Sequence, residues 1–236
     1  MNYHKLLYIL LLLATTMLNA AEYKKGTHYK LLSTPSISSS TKVQVQEIFW
    51  YGCAHCFSLE SDVKKWLTKL DKNKVEFTRI PAAFGGAWDL HAQFYYTGVT
   101  LKIIDKIHTP MFNAIHIERN RSINCTSVDA CADNYAQFVK ELNIGVTAKQ
   151  FSSMFSSFGV LNKMNQSKSL MKQYKVTGVP TFVIAGKYIT GVQMAGSNEN
   201  LFGTINMLIN KELQAATTLV TTKKKKTTAS VKEKIK

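Results

Sequence analysis

Cys53-Ala54-His55-Cys56 is the segment whose residue types and spacing could do chemistry. A C-x-x-C suits a metal or a thiol–disulfide exchange. Zinc needs two further ligands at similar spacing. The other two cysteines, Cys125 and Cys131, lie far downstream in a C-x5-C that is no knuckle. His55, held between the pair, cannot readily join the same tetrahedron. The redox reading has a mechanism. If a helix begins at Cys53, its unpaired backbone N–H groups and the positive end of its dipole favour the thiolate. A protonated His55 adds positive charge close to the sulfur. Cys56 then sits one turn deeper and can close a ring with Cys53. A stabilised thiolate leaves easily, so the disulfide is prone to pass to another protein. A structural role fits poorly, because so short a ring restricts the unfolded chain little.

Glu47 and Val179-Pro180 are the second and third candidates. Glu47 shares strand parity with Val43, Val45 and Phe49. It therefore points into the core, unless a bulge turns it outward. A buried carboxyl there has a raised pKa and could exchange a proton with Cys56. Pro180 stands at a strand start, where proline is often an edge device. The other reading is a cis bond whose carbonyl lets an extended substrate segment pair beside the cysteines.

The elements around these residues read as follows. Val43–Trp50 alternates as a strand that Gly52 breaks. Leu59, Val63, Trp66, Leu67 and Leu70 then recur with helical period to a stop at Asn73. Val75–Ile80 is a second strand, ended by Pro81. The middle of the chain is helical: Trp88–Ile107 with a break near Gly98, and a short helix opened by Thr109 with Pro110 as its first residue. Another helix opens at Ser127 and stops at Gly145. Thr147-x-x-Gln150 makes a capping box, and a further helix covers about Val160 to Tyr174. Strands return at Thr181–Ala185 and Tyr188–Val192, before a last helix capped by Ser197. The order βαβ, helices, ββα predicts an α/β fold whose sheet is interrupted by a helical insertion.

Composition bounds the function classes. The chain has 236 residues, 45% of them apolar and 19% charged, which excludes wholesale disorder. Four cysteines are too few for a disulfide-dense scaffold of this length. The net charge is +15, but residues 211–236 hold eight Lys against two Glu. What remains is a moderately basic globule with no nucleic-acid saddle. Lys223–Lys226, Lys232, Lys234 and Lys236 read as a flexible basic tail, for which anionic lipid is a conceivable contact. At the other end, Lys5, the apolar run Leu6–Ala14 and the small residues Ala20 and Ala21 match a secretory signal peptide over residues 1–20. The competing reading, a membrane anchor, has ~13 apolar residues against the ~20 a bilayer needs. Export to an oxidising compartment follows. There Cys125 and Cys131 should form a structural disulfide, since no helix-capping cysteine pair or adjacent histidine accompanies them. Trp50, Tyr51, Phe84 and Trp88 read equally as an apolar docking ring or as core aromatics. His91, His108 and His116 have no ligand spacing.

The strand–Cys53-x-x-Cys56–helix unit, the helical insertion and Val179-Pro180 before a hairpin together resemble the DsbA family of periplasmic thiol–disulfide oxidases. The likeness extends over about residues 21–212 and includes Ala21-Glu22-Tyr23 and Gly186-Lys187-Tyr188. It implies a thioredoxin fold with an inserted helical domain: residues 21–81 and 175–212 as the thioredoxin unit, 82–174 as the insertion, and 213–236 as the tail. It further implies that Cys53 is the nucleophile, Cys56 its resolving partner, His55 the dipeptide histidine, Glu47 the buried acid and Val179-Pro180 the cis-proline. Reduced exported proteins would be the substrates and a membrane partner that passes electrons to quinone the reoxidase, with no organic cofactor, metal or nucleic acid. An isomerase or reductase on the same fold, or a chaperone-like binder, are the alternatives. Three features depart from the family pattern: Ala54 in place of a frequent proline, the Cys125/Cys131 pair, and the lysine tail.

Overall fold

The computed structural model describes residues 22–36 and 40–233, with side chains to residue 218. The predicted export signal, residues 37–39 of the polar lead-in, and Lys234 and Lys236 lie outside the described residues. The elements are β1 (Lys30–Leu31), β2 (Val43–Phe49), α1 (Ala54–Thr68), β3 (Val75–Pro81), α2 (Ala87–Thr100) and α3 (Ile104–His116). A 3-10 turn (Arg121–Ile123) follows. Then come α4 (Val128–Glu141), α5 (Ala148–Phe155), α6 (Phe158–Tyr174), β4 (Thr181–Ile184), β5 (Tyr188–Thr190), α7 (Val192–Ala195) and α8 (Asn198–Glu233).

The five strands form one sheet in the order β1-β5-β4-β2-β3, with β2 parallel to β3 and its other neighbour, β4, antiparallel. Val43 and Val45 on β2 pack with Leu59, Val63 and Trp66 of α1 and with Leu201, Ile205 and Leu208 of α8. Ile48, Ile80 and Val183 pack on the opposite face with Met164, Met171 and Tyr174 of α6. A third core lies among the helices, where Phe94, Met111, Phe112, Tyr135, Phe151 and Phe155 surround the end of β2 at Phe49 and Tyr51. The turn that carries Cys53 therefore sits where the end of β2 meets the helical core.

Several element boundaries differ from those the sequence predicts. Helix α1 ends at Thr68, and the chain reaches Asn73 through a turn closed by Asp71. The break after α2 comes at 101–103, where Lys102 takes φ +58° and Ile103 N–H returns to Gly98 O. Gly98 is instead a contact: a Cβ there would stand 2.6 Å from Ile107 Cδ1. Pro110 does not open a helix but lies inside α3. The apolar stripe Ile107, Met111, Phe112 and Ala114 is buried on both sides of it, and that burial outweighs the ~3 kcal/mol an interior proline costs. Asn143, at φ +48°, rather than Gly145, first turns the chain after α4. The expected flexible tail continues α8 as helix to Glu233. No Gly or Pro follows Gly203, and Leu213, Gln214, Ala215 and Ala216 favour helix.

Candidate active site

The turn that follows β2 is closed by Cys53 N–H donating to Trp50 O at 3.0 Å. Gly52 is required by space, since a Cβ would lie 2.4 Å from the Trp50 ring. Cys53 is the N-cap of α1: its backbone is extended, and its sulfur accepts the Cys56 backbone N–H at 3.3 Å. The thiol thus occupies the place a serine or aspartate oxygen takes at other helix starts. Cys53 is half-buried, Cys56 is buried, and both are free thiols. Hydrogen bonding from the Cys56 thiol, backbone N–H groups and the charge of His55 bring Cys53 down to about 6, against the opposing effect of burial. Burial, followed by the bond to Cys53 and its charge, pushes Cys56 far above the usual thiol range. The two sulfurs are thus electronically unequal. His55 is exposed in the first turn of α1.

The Val179–Pro180 peptide bond is cis, and the Val179 carbonyl oxygen lies 3.5 Å from Cys53 Sγ. Pro180 immediately precedes β4, which lies beside β2 and pairs Ile48 with Thr181. Two strands from opposite ends of the sequence thereby bring 53 and 179 together.

Glu47 is 2% exposed and sits opposite Arg79 in the parallel β2–β3 register. Arg79 Nε donates to Glu47 Oε2 at 3.0 Å, and its terminal nitrogen donates to Glu60 Oε2 at 3.0 Å. One guanidinium is shared by two carboxylates. Burial raises Glu47 to about 7, with Arg79 opposing and Glu60 reinforcing the rise. Burial also pushes Glu60 up, but His108, Arg79 and Lys64 outweigh it and hold that carboxyl below its ordinary value. Glu47 is therefore the member of the pair that carries a proton near neutral pH, and its charge acts on the Cys56 sulfur.

Sequence reading missed Arg79, Glu60 and His108. Two signals were available: Arg79 shares inward parity with Val75 and Phe77, and Glu60 follows Cys56 by one helical turn. Nothing local marks His108. It is buried, shares a 2.8 Å hydrogen bond with the Tyr51 hydroxyl, and faces Glu60 at 3.6 Å. His116 Nε2–H donates to the Tyr51 carbonyl at 2.7 Å, so both ends of Tyr51 are fixed by α3. Buried His91 is lowered to about 4 by burial and by His116. Of the four aromatics read either way, Tyr51 is core. Trp50 stacks on Trp88 at 3.9 Å between ring centres, and Phe84, 49% exposed, meets the edge of Trp88. Cys125 and Cys131 are bonded to each other, with Cα atoms 5.3 Å apart. Among the described residues no group of three or more His, Cys, Asp or Glu is placed to hold a metal ion.

Residues 44–201 match the family model described as a DSBA-like thioredoxin domain. The chain belongs to this family. It is 36% identical over 198 residues to the thiol:disulfide interchange protein DsbA of Pseudomonas aeruginosa, covering 84% of this chain and 89% of that one. The protein of the same name from Pseudomonas syringae pv. tomato is 37% identical, covering 84% and 88%. The crystal structure of Pseudomonas aeruginosa DsbA superposes with a TM-score of 0.73 at 35% identity, over 83% of this chain and 97% of that one. The chain is a thiol–disulfide oxidoreductase with a DsbA-like thioredoxin fold.

Proposed function

We propose that this protein is exported to the periplasm and there donates a Cys53–Cys56 disulfide to reduced proteins. The observation that carries the proposal is the inequality of the two thiols: a half-exposed Cys53 near pKa 6 beside a buried Cys56 that resists ionisation. A thiolate at Cys53 stabilises the reduced protein, and so makes the oxidised form eager to give up its bond.

In the oxidised protein a client thiolate attacks Cys53 Sγ. The Cys53–Cys56 bond breaks, and Cys56 leaves with the electron pair. Its sulfur takes a proton, for which the buried Glu47 carboxyl, near pKa 7, is the donor. A second client thiolate then attacks the client sulfur of the mixed disulfide, and Cys53 leaves as thiolate. The client gains one disulfide, and the protein holds the two electrons as a dithiol. Val179 and Pro180 hold the client strand beside Cys53 through the Val179 backbone. His55 adds positive charge beside the leaving sulfur, and Cys125–Cys131 is a structural bridge. Residues 82–174 act as an inserted helical domain on the thioredoxin unit of 21–81 and 175–212. Electrons then pass to a membrane reoxidase linked to quinone. The lysines of the 213–236 segment favour an anionic membrane surface, at ~1 kcal/mol for each Lys that reaches it. No helix among the described residues is long and apolar enough to cross a membrane.

The test is oxidation of a reduced protein in a glutathione buffer. The wild type should form the client disulfide, and Cys53→Ser should not. Rescue of a scrambled client faster than oxidation of a reduced one would assign the site to isomerisation instead.

A further inference from the structure

Beside the reactive corner lies an open pocket of about 510 Å³ that the exchange chemistry does not use. Its apolar wall is Phe84 from the β3–α2 connection, Met171 of α6 and Val176 just beyond that helix. Met171 and Val176 are buried, whereas Phe84 is half exposed. Lys168, Lys172 and Lys175 line the same pocket, and no acidic residue does. Lys168 is paired with Asp89. Lys172 and Lys175 are exposed and have no carboxylate partner among the described residues.

Two short routes join this pocket to the sulfur. Thr177, also in its lining, is two residues before Val179, whose carbonyl stands 3.5 Å from Cys53 Sγ. Phe84 meets Trp88, Trp88 stacks on Trp50, and the Trp50 carbonyl accepts the Cys53 N–H. An extended chain advances ~3.3 Å per residue. A segment lying along Val179 with its cysteine on Cys53 therefore passes the pocket ~2–4 residues from that cysteine.

We propose that this pocket is a second docking subsite for the client, taking an apolar side chain flanked by a carboxylate a few residues from the reactive cysteine. The apolar wall accepts the side chain, and Lys172 and Lys175 pair with the acid. This rests on the oxidase reading above and adds a substrate class to it, extended acidic segments.

The test measures oxidation rates of two extended dithiol peptides that carry Leu-Glu or Leu-Lys three residues from one cysteine, with dithiothreitol as a small dithiol that cannot reach the pocket. The wild type should oxidise the Glu peptide about five- to tenfold faster at low salt. Lys172→Glu with Lys175→Glu should abolish or reverse that preference, and Phe84→Ala should slow both peptides. The same charge change at Lys106 and Lys149, outside the pocket, should leave the preference in place. Equal peptide rates in the wild type, or a preference lost equally in the Lys106/Lys149 variant, would overturn the subsite while oxidation of dithiothreitol proceeds normally. Failure to oxidise dithiothreitol would overturn the oxidase reading itself, and the subsite with it.

Discussion

The molecule holds two cysteine pairs of opposite character. Cys53 and Cys56 span the first turn of α1, with one sulfur as the helix cap and the other buried beneath it. Cys125 and Cys131 span the entrance to α4, bonded, with Cys131 fully buried in the same core as Tyr135, Phe138 and Phe155. Both pairs begin in a loop and end in a helix. At α4 the N-cap is Ser127, whose hydroxyl accepts the Ala130 N–H, so an oxygen fills the place that sulfur fills at α1. Cys56 and Cys131 are both buried in the helical core, but at α1 the charge of buried Glu47 also acts on Cys56. A cysteine becomes reactive by standing where backbone donors and nearby charge reach it; closeness to a second cysteine is not enough.

Replacing each pair should split the two roles. Cys53→Ser should lower client oxidation at least ~1000-fold, since the attacked sulfur is gone. Cys125→Ser with Cys131→Ser should stay within about twofold of wild type in the same assay. A collapse of turnover in the second variant, with stability intact, would make that pair a redox relay and break the contrast.

The next effect is on stability. Glu47 is buried and raised from 4.5 to about 7, so the folded protein binds its proton more tightly than the unfolded chain does. Stability therefore falls as pH rises from about 4.5 to 7, and the cost is complete above that window. Glu47→Gln should raise the melting temperature at pH 8 by several degrees, for a gain of up to ~3 kcal/mol less what Arg79 loses with its partner. The gain should shrink towards zero at pH 4.5. A gain that grows at low pH would contradict the assignment. The same variant should slow client attack on the Cys53–Cys56 bond, because the departing Cys56 sulfur loses its proton donor.

Loss of the Cys125–Cys131 bridge comes next, at about 2 kcal/mol for its short loop. It should appear as a few degrees in a thermal melt at any pH from 5 to 8. His55→Ala is expected to be smallest. His55 is the last of the influences that lower Cys53, so its removal should raise the Cys53 pKa by less than about one unit. The pH dependence of alkylation by iodoacetamide measures this. A larger rise would make the histidine, rather than Cys56 and the helix start, the main source of acidity.

Much of the reactive corner was legible because its parts are local. The C-x-x-C between a strand and a helix, the inward parity of Glu47 and the Ser127 cap each lie within a few residues of the signal that marks them. Arg79, Glu60 and His108 were not legible as a group. Their meeting depends on the β2–β3 register and on how α3 packs against the end of β2, neither of which a local period reveals. Pro110 misled for the same reason: a local helix-start signal gave way to burial of Ile107 and Met111 in a core built from distant helices. The lysine-rich end was read by charge alone, while its lack of Gly and Pro carried the helical information.

The central claim is that the fold gives Cys53 a thiolate that Cys125 and Cys131 never have. Ultraviolet thiolate absorbance of the reduced protein, titrated against the oxidised protein as blank, tests it most directly. One wave with a midpoint near 6 is expected, because Cys56 is held protonated throughout. A midpoint at the ordinary thiol value of about 8.5 would contradict the account.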